Sequence, residues 1–100
     1  MRIYHVYIMS SRSRATYVGS TSALATRVAQ HKAGYWHGSH THLYRITRLV
    51  YYEQCPTALA MVRREREIKG WTRAKKVALI QSVNPAWDDL AADWVLPELR

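Results

Sequence analysis

The sequence predicts an α+β domain in which a three-stranded antiparallel sheet is flanked by about four helices. Three observations carry that expectation. Runs rich in β-branched and aromatic residues occur near 3–9, 15–19 and 45–53, the composition that fits a pleated, half-buried surface. Apolar residues recur at helical spacing between and after those runs. One hundred residues without an internal repeat, a low-complexity tract or a linker suffice for one core and not for two.

Taking the elements in order, Ile3 to Met9 (IYHVYIM) is bounded by the polar SSRSR stretch and reads as the first strand. The second, Ala15 to Gly19, follows at hairpin distance. A turn centred near Arg12 sets Tyr7 opposite Tyr17, and any register shifted by an even number of residues keeps both rings on one face. Such a pair stabilises a sheet by packing alone, and it equally offers two phenols to one surface. Gly19 ends the strand. Ser20, Thr21 and Ser22 are alternative N-caps for a helix running to about Ala33, with Gly34 as its stop signal. On that helix Arg27 and His31 stand one turn apart beside the Leu24 and Val28 stripe, a placement that suits an anion such as phosphate.

Residues 35–44 (YWHGSHTHLY) read as a loop. The spacing of His37, His40 and His42 fits no strong zinc pattern. Tyr35, Trp36 and Thr41 beside Arg45 suit stacking on bases and hydrogen bonds to a backbone, although an ordinary surface loop has the same composition. Arg45 to Glu53 reads as the third strand, and Pro56 opens a helix that runs to about Lys69. Its apolar positions Leu59, Met61, Val62 and Ile68 mark one side, and Glu65 points to that side, while Glu67 falls beside Arg63 and Arg64. An inward carboxylate requires a cation, a hydrogen-bond network or a metal ion. A salt bridge to an arginine would satisfy it equally well.

Gly70 closes that helix and Thr72 caps the next, which buries Val77, Leu79, Ile80 and Val83 and exposes Arg73, Lys75 and Lys76. From Asn84 onward, Trp87, Leu90 and Trp94 keep helical spacing. The expectation is a single domain with its core in 1–83 and an acidic packing helix over 84–100.

Charge narrows the class of partner. The chain carries a net +8, but residues 1–83 hold fourteen Lys/Arg against three Glu, a net +11, and the last seventeen residues hold four acids against Arg100. A body so basic suits a polyanion. The lone Cys55 forms no intrachain disulfide, and neither a signal peptide nor a membrane-length apolar run is present. The expected location is the cytoplasm.

These residues together resemble a known family. Tyr17-Val18-Gly19 matches its second motif, and His5-Val6-Tyr7 stands in the place of its first, retaining only the tyrosine. Arg27 and His31 have the family's spacing, and REREIKGW supplies its glutamate as Glu65, ahead of Ile68 and Lys69. The chain resembles the GIY-YIG nuclease superfamily, and within it the small stand-alone bacterial proteins that are little more than the catalytic domain. The likeness extends to the WTRAKK helix and the NPAWDDL segment.

The resemblance implies endonucleolytic hydrolysis of DNA phosphodiester bonds with one divalent ion, Mg²⁺ or Mn²⁺. It makes Tyr7 the general base or water-positioning phenol, with Tyr17 beside it. Arg27 would bind the scissile phosphate, His31 would assist at the nucleophile or phosphate, and Glu65 would hold the ion with water and phosphate oxygens. A phenol of ordinary pKa about 10 needs neighbouring cations to act near neutrality, for which Arg27 and Lys32 are candidates. The nucleic-acid-facing set is Gly19, Ser20, Thr21, Lys32, Trp36, His40, Thr41, Arg45, Lys69, Arg73 and Asn84, the last as the asparagine that follows the family's glutamate helix. Single-stranded DNA is the preferred partner, with duplex or branched DNA and RNA as alternatives. Specificity would come from the 35–44 loop or from dimerisation, and a protein partner or a homodimer is compatible with the reading. The rival readings are a non-catalytic or partner-dependent nucleic-acid-binding module of the same fold, and a protein-interaction domain using the acidic tail.

Overall fold

The computed structural model describes residues 2–35 and 43–99. The sheet consists of β1 (Tyr4–Ser10), β2 (Thr16–Thr21) and β3 (Arg48–Cys55), with β1 central in the order β2-β1-β3 and both pairings antiparallel. Three helices accompany it among the described residues: α1 (Leu24–Lys32), α2 (Ala58–Lys69) and α3 (Arg73–Val83). The three-stranded α+β architecture agrees with the sequence expectation, with one helix fewer among the described residues.

The central strand is buried on both sides, so it divides the core in two. Val6 and Ile8 face Val18, Val50, Cys55, Ile68 of α2, Ile80 of α3 and Trp87. Tyr7 and Met9 face Leu24 and Val28 of α1, together with Ile46, Leu49 and Ala91. This explains why IYHVYIM is apolar at nearly every position: a strand covered on both faces cannot alternate.

The hairpin register differs from the expected one. Tyr7 lies opposite Gly19, and Met9 lies opposite Tyr17. The loop is centred on Ser13, because the Ser11 carbonyl accepts from Arg14 N at 3.0 Å and the Ser11 hydroxyl accepts from Ala15 N at 2.9 Å. Arg14 takes a left-handed φ of 70° within this loop, and the turn sits one residue further along the chain than expected. The shift is even, so Tyr7 and Tyr17 still share a face, on a diagonal. Gly19 does not end β2; the strand continues to Thr21, and Thr21 Oγ1 accepts from Ala23 N at 2.9 Å to turn the chain into α1. None of the three expected residues is the N-cap, which is Ala23.

The third strand starts later than predicted, at Arg48, and carries an irregularity: Ile8 pairs with Tyr51 but Met9 pairs with Leu49. Val50 is therefore a bulge residue. The segment after α3 satisfies the freed backbone groups. Asn84 Nδ2 donates to Val50 O at 3.0 Å, Leu49 N donates to Asp89 Oδ1 at 3.1 Å, and Leu90 N donates to Leu49 O at 2.7 Å. Residues 84–99 thus form turns and extended chain instead of the packing helix expected there. Trp87, at φ 56°, breaks any helical path, and the Trp87, Leu90 and Trp94 spacing serves a strap pinned to β3.

Helix α2 begins at Thr57, whose Oγ1 accepts from Ala60 N at 3.1 Å, with Pro56 just outside it. Thr72 caps α3 in the same way, accepting from Lys75 N at 3.3 Å. Of the stripe predicted for α3, Ile80 is buried and Val77 and Leu79 are half-buried, whereas Val83 lies in solvent. No helix among the described residues is long and apolar enough to cross a membrane.

Candidate active site

The site grows from the close crossing of Tyr7 over β2. A Cβ built on Gly19 would stand 2.6 Å from both Cζ and the hydroxyl oxygen of Tyr7, and 2.9 Å from Cε1 of Tyr17. The phenol therefore lies directly on the glycine backbone. Its hydroxyl meets Nε2 of His31 at 3.1 Å in a buried hydrogen bond. Tyr17 completes a cluster of three rings, with centroids 5.1 Å from His31 and 6.3 Å from Tyr7. Periodicity in α1 accounts for the histidine: Leu24, Val28 and His31, at spacings of four and three, are among the buried residues of the helix.

Burial governs the protonation of this pair. It raises the Tyr7 hydroxyl well above its ordinary 10; Tyr17 and Glu65 add to the rise and Arg27 opposes it. Burial first, and then the Arg27 guanidinium, lower His31 to about 4. Near neutral pH the pair is a protonated phenol against an uncharged imidazole. Arg27 itself is exposed and within electrostatic reach of both.

Glu65 approaches the same strand from the other face. Ser20 and Val6 are paired across β1 and β2, so Ser20 points to the α2 side, and its hydroxyl donates to Glu65 Oε1. Lys69, one turn further along α2, places Nζ 2.5 Å from the second carboxylate oxygen. Burial pushes the Glu65 carboxyl up, but the hydrogen bonds from Lys69 and Ser20 and the Lys69 and Arg66 charges outweigh it, and the net result lies below the usual carboxylate range. Glu67, as expected, turns outward, where it pairs with Arg64. Arg64 also reaches Glu53 at 3.1 Å.

The remaining predicted residues divide. Gly19 and Thr21 are buried in the strand, the first beneath Tyr7 and the second turning the chain into α1. Lys32 does not supply its charge to Tyr7; its ammonium is tied to Asp89. Arg45 is exposed at the mouth of a cleft beside α1. Arg73 sits by the hairpin loop, donating to Arg14 O at 2.8 Å, at the other end of β2 from Ser20. Asn84, expected to face nucleic acid, is instead buried, its amide consumed by Val50 O, Asp88 O and Asp88 N at 2.9–3.0 Å. Trp36, His40 and Thr41 lie outside the described residues, as do His37 and His42. Sequence reasoning missed Asp89, the anchor of Lys32, as well as Leu43 and Thr47 of the cleft; no local pattern marks them.

Among the described residues no group of three or more His, Cys, Asp or Glu side chains converges. The Glu65 carboxylate and the Ser20 hydroxyl are nevertheless hard oxygen donors in contact with each other, and a cation, the Lys69 ammonium, already sits on the second carboxylate oxygen. Such a set fits a small divalent cation that takes most of its ligands from water and substrate oxygens.

Residues 3–78 match the GIY-YIG catalytic domain, a nuclease family acting on nucleic acid, and the chain belongs to that family. More narrowly, it is similar to small UPF0213 proteins. It is 31% identical over 81 residues to the UPF0213 protein of Syntrophus aciditrophicus, covering 81% of this chain and 92% of that one. With the UPF0213 protein HQ_3675A of Haloquadratum walsbyi it shares 37% over 82 residues, 81% of this chain and 91% of the relative. The solution NMR structure of the UPF0213 protein BH0048 from Bacillus halodurans superposes with a TM-score of 0.56 at 26% identity, covering 93% of this chain and 98% of that chain.

Proposed function

We propose that the protein is a divalent-metal-dependent endonuclease that hydrolyses DNA phosphodiester bonds, with a preference for single strands. The observation that supports this best is the meeting at β2 of the Tyr7–His31 hydrogen bond from one face and the Ser20–Glu65 contact from the other. A phosphate at that edge would stand between a proton-handling pair and a carboxylate able to hold a cation.

Each side chain then has a defined task. Tyr7 orients the attacking water and takes its proton, passing its own phenolic proton to His31 Nε2, which the low pKa of about 4 leaves unprotonated at neutral pH. As the water oxygen bonds to phosphorus, the bond to the leaving sugar oxygen breaks and that oxygen takes a proton from solvent. Tyr17 walls the phenol from solvent. Arg27 binds the scissile phosphate and stabilises the charge that builds on it. That charge also raises the basicity of His31, offsetting the guanidinium that depresses it in the free protein. Glu65 and Ser20 would hold Mg²⁺ or Mn²⁺, which when bound supplies a Lewis acid for the phosphate oxygens. Lys69 must leave the carboxylate for that to happen, and once released it is a phosphate ligand.

The test is cleavage of end-labelled single-stranded and duplex DNA in Mg²⁺ or Mn²⁺ by the parent, Glu65→Ala and Tyr7→Phe. Variants as active as the parent would mean that the cleavage comes from elsewhere. The Lys69–Glu65 pair and the protonated Tyr7 favour one alternative, a nucleic-acid-binding module without catalysis or needing a partner. Salt-dependent binding with no cleavage on any substrate would select it.

A further inference from the structure

Beside the candidate active site a cleft of about 550 Å³ opens between the C-terminal end of α1 and residues 43–47. We propose that it seats one nucleotide of a single-stranded nucleic acid, the neighbour of the phosphate held at Arg27 and His31. The identity of the ligand rests on the nuclease reading above, while the existence and charge of the cleft do not.

Four features argue for this occupant. The volume is within the range of small-ligand clefts, ~300–1,000 Å³. The lining combines the Arg45 guanidinium, the Asp89-paired Lys32 ammonium and the Thr47 hydroxyl with the apolar surface of Leu43 and Ala33, as a flat base joined to an anionic phosphate requires. His31 belongs both to this lining and to the hydrogen bond with Tyr7, so an occupant is contiguous with the proposed reacting phosphate. Finally, the Lys32 ammonium is fixed at the rim by Asp89, whose other carboxylate oxygen is held by Leu49 N at 3.1 Å and Ala91 N at 3.0 Å. A base inside a duplex is stacked and paired and cannot enter such a cleft without being extruded, whereas a single strand offers its bases freely. The cleft therefore supplies a physical reason for the strand preference.

The full-length chain, free of divalent metal, is titrated with thymidine 5′-monophosphate and separately with inorganic phosphate, and backbone amide NMR shifts are followed. The expected result is perturbation of residues 32–34 and 43–47, with the nucleotide binding at least fivefold tighter than phosphate. Arg45→Glu should weaken the nucleotide tenfold or more. Arg12→Glu, an equal change of charge in the exposed hairpin loop, should change it less than twofold, and the dispersed spectrum of each variant reports that it is folded. Equal affinity for phosphate, equal effects of the two variants, or no perturbation at the cleft would each overturn the proposal. Binding is read here without turnover. A cleft that fails leaves Glu65-dependent cleavage standing, and a chain that binds the nucleotide but never cuts DNA refutes the nuclease reading alone.

Discussion

Tyr7 and Gly19 face each other across β1 and β2 so closely that a methyl group on the glycine would stand 2.6 Å from the phenol oxygen. The contact holds the hydroxyl at His31. Gly19→Ala should therefore displace the ring and cost roughly 1–3 kcal/mol, the usual penalty for overpacking. In a Tyr7→Ala background the same substitution should cost less, since the two nearest atoms it strikes are gone and only Tyr17 Cε1, at 2.9 Å, remains. Urea denaturation of the two single variants and the double variant measures that coupling, and additive losses would show that the close approach is not what Gly19 is for.

The buried His31 makes stability depend on pH. In the unfolded chain the imidazole titrates near its ordinary 6.5, and in the folded protein near 4, so between those values the unfolded state binds more protons. Stability should be full above pH 6.5 and fall as the pH drops toward 4, by up to roughly 3 kcal/mol from this group. His5, lowered by burial, adds in the same direction. The depressed carboxyls of Glu65 and Asp89 extend the loss to still lower pH as they protonate. His31→Gln should flatten the slope between pH 6.5 and 4, measured by denaturant unfolding at several pH values. A variant with an unchanged slope would locate the proton uptake elsewhere.

Asn84 belongs to the framework. Its amide satisfies Val50 O at the bulge and closes a turn with both backbone groups of Asp88. Asn84→Ala leaves the bulge carbonyl buried without that partner and should lose about 2–3 kcal/mol. The salt dependence of DNA binding, which counts released phosphates' counterions, should be the same in the variant. A changed slope would return Asn84 to the nucleic-acid surface.

Much of the frame was legible because parity and periodicity survive errors of register. Tyr7 and Tyr17 share a face for every even shift, so the two-residue error in the hairpin did no damage. The side of α2 on which Glu65 falls follows from Met61 and Ile68 alone. What could not be read depends on single backbone choices and on distant partners. Arg14 in the left-handed region sets the register, and Trp87 at φ 56° turns an apparently helical tail into a strap. Ser20 meets Glu65 across 45 positions of sequence, and Lys32 meets Asp89 across 57. Gly19 signalled a turn by its type, and only the three-dimensional packing reveals it as the bed for a phenol.

In the proposed function, Glu65 holds the cation that makes the Tyr7, His31 and Arg27 cluster a nuclease. That role is tested most directly by comparing parent and Glu65→Gln on one labelled single strand in Mn²⁺, measuring affinity and single-turnover cleavage in the same samples. The substitution keeps the shape and the Ser20 contact but removes the charge. Cleavage should be slowed by about 10²–10³-fold or more with DNA affinity nearly unchanged. Equal cleavage rates in the two proteins would contradict it.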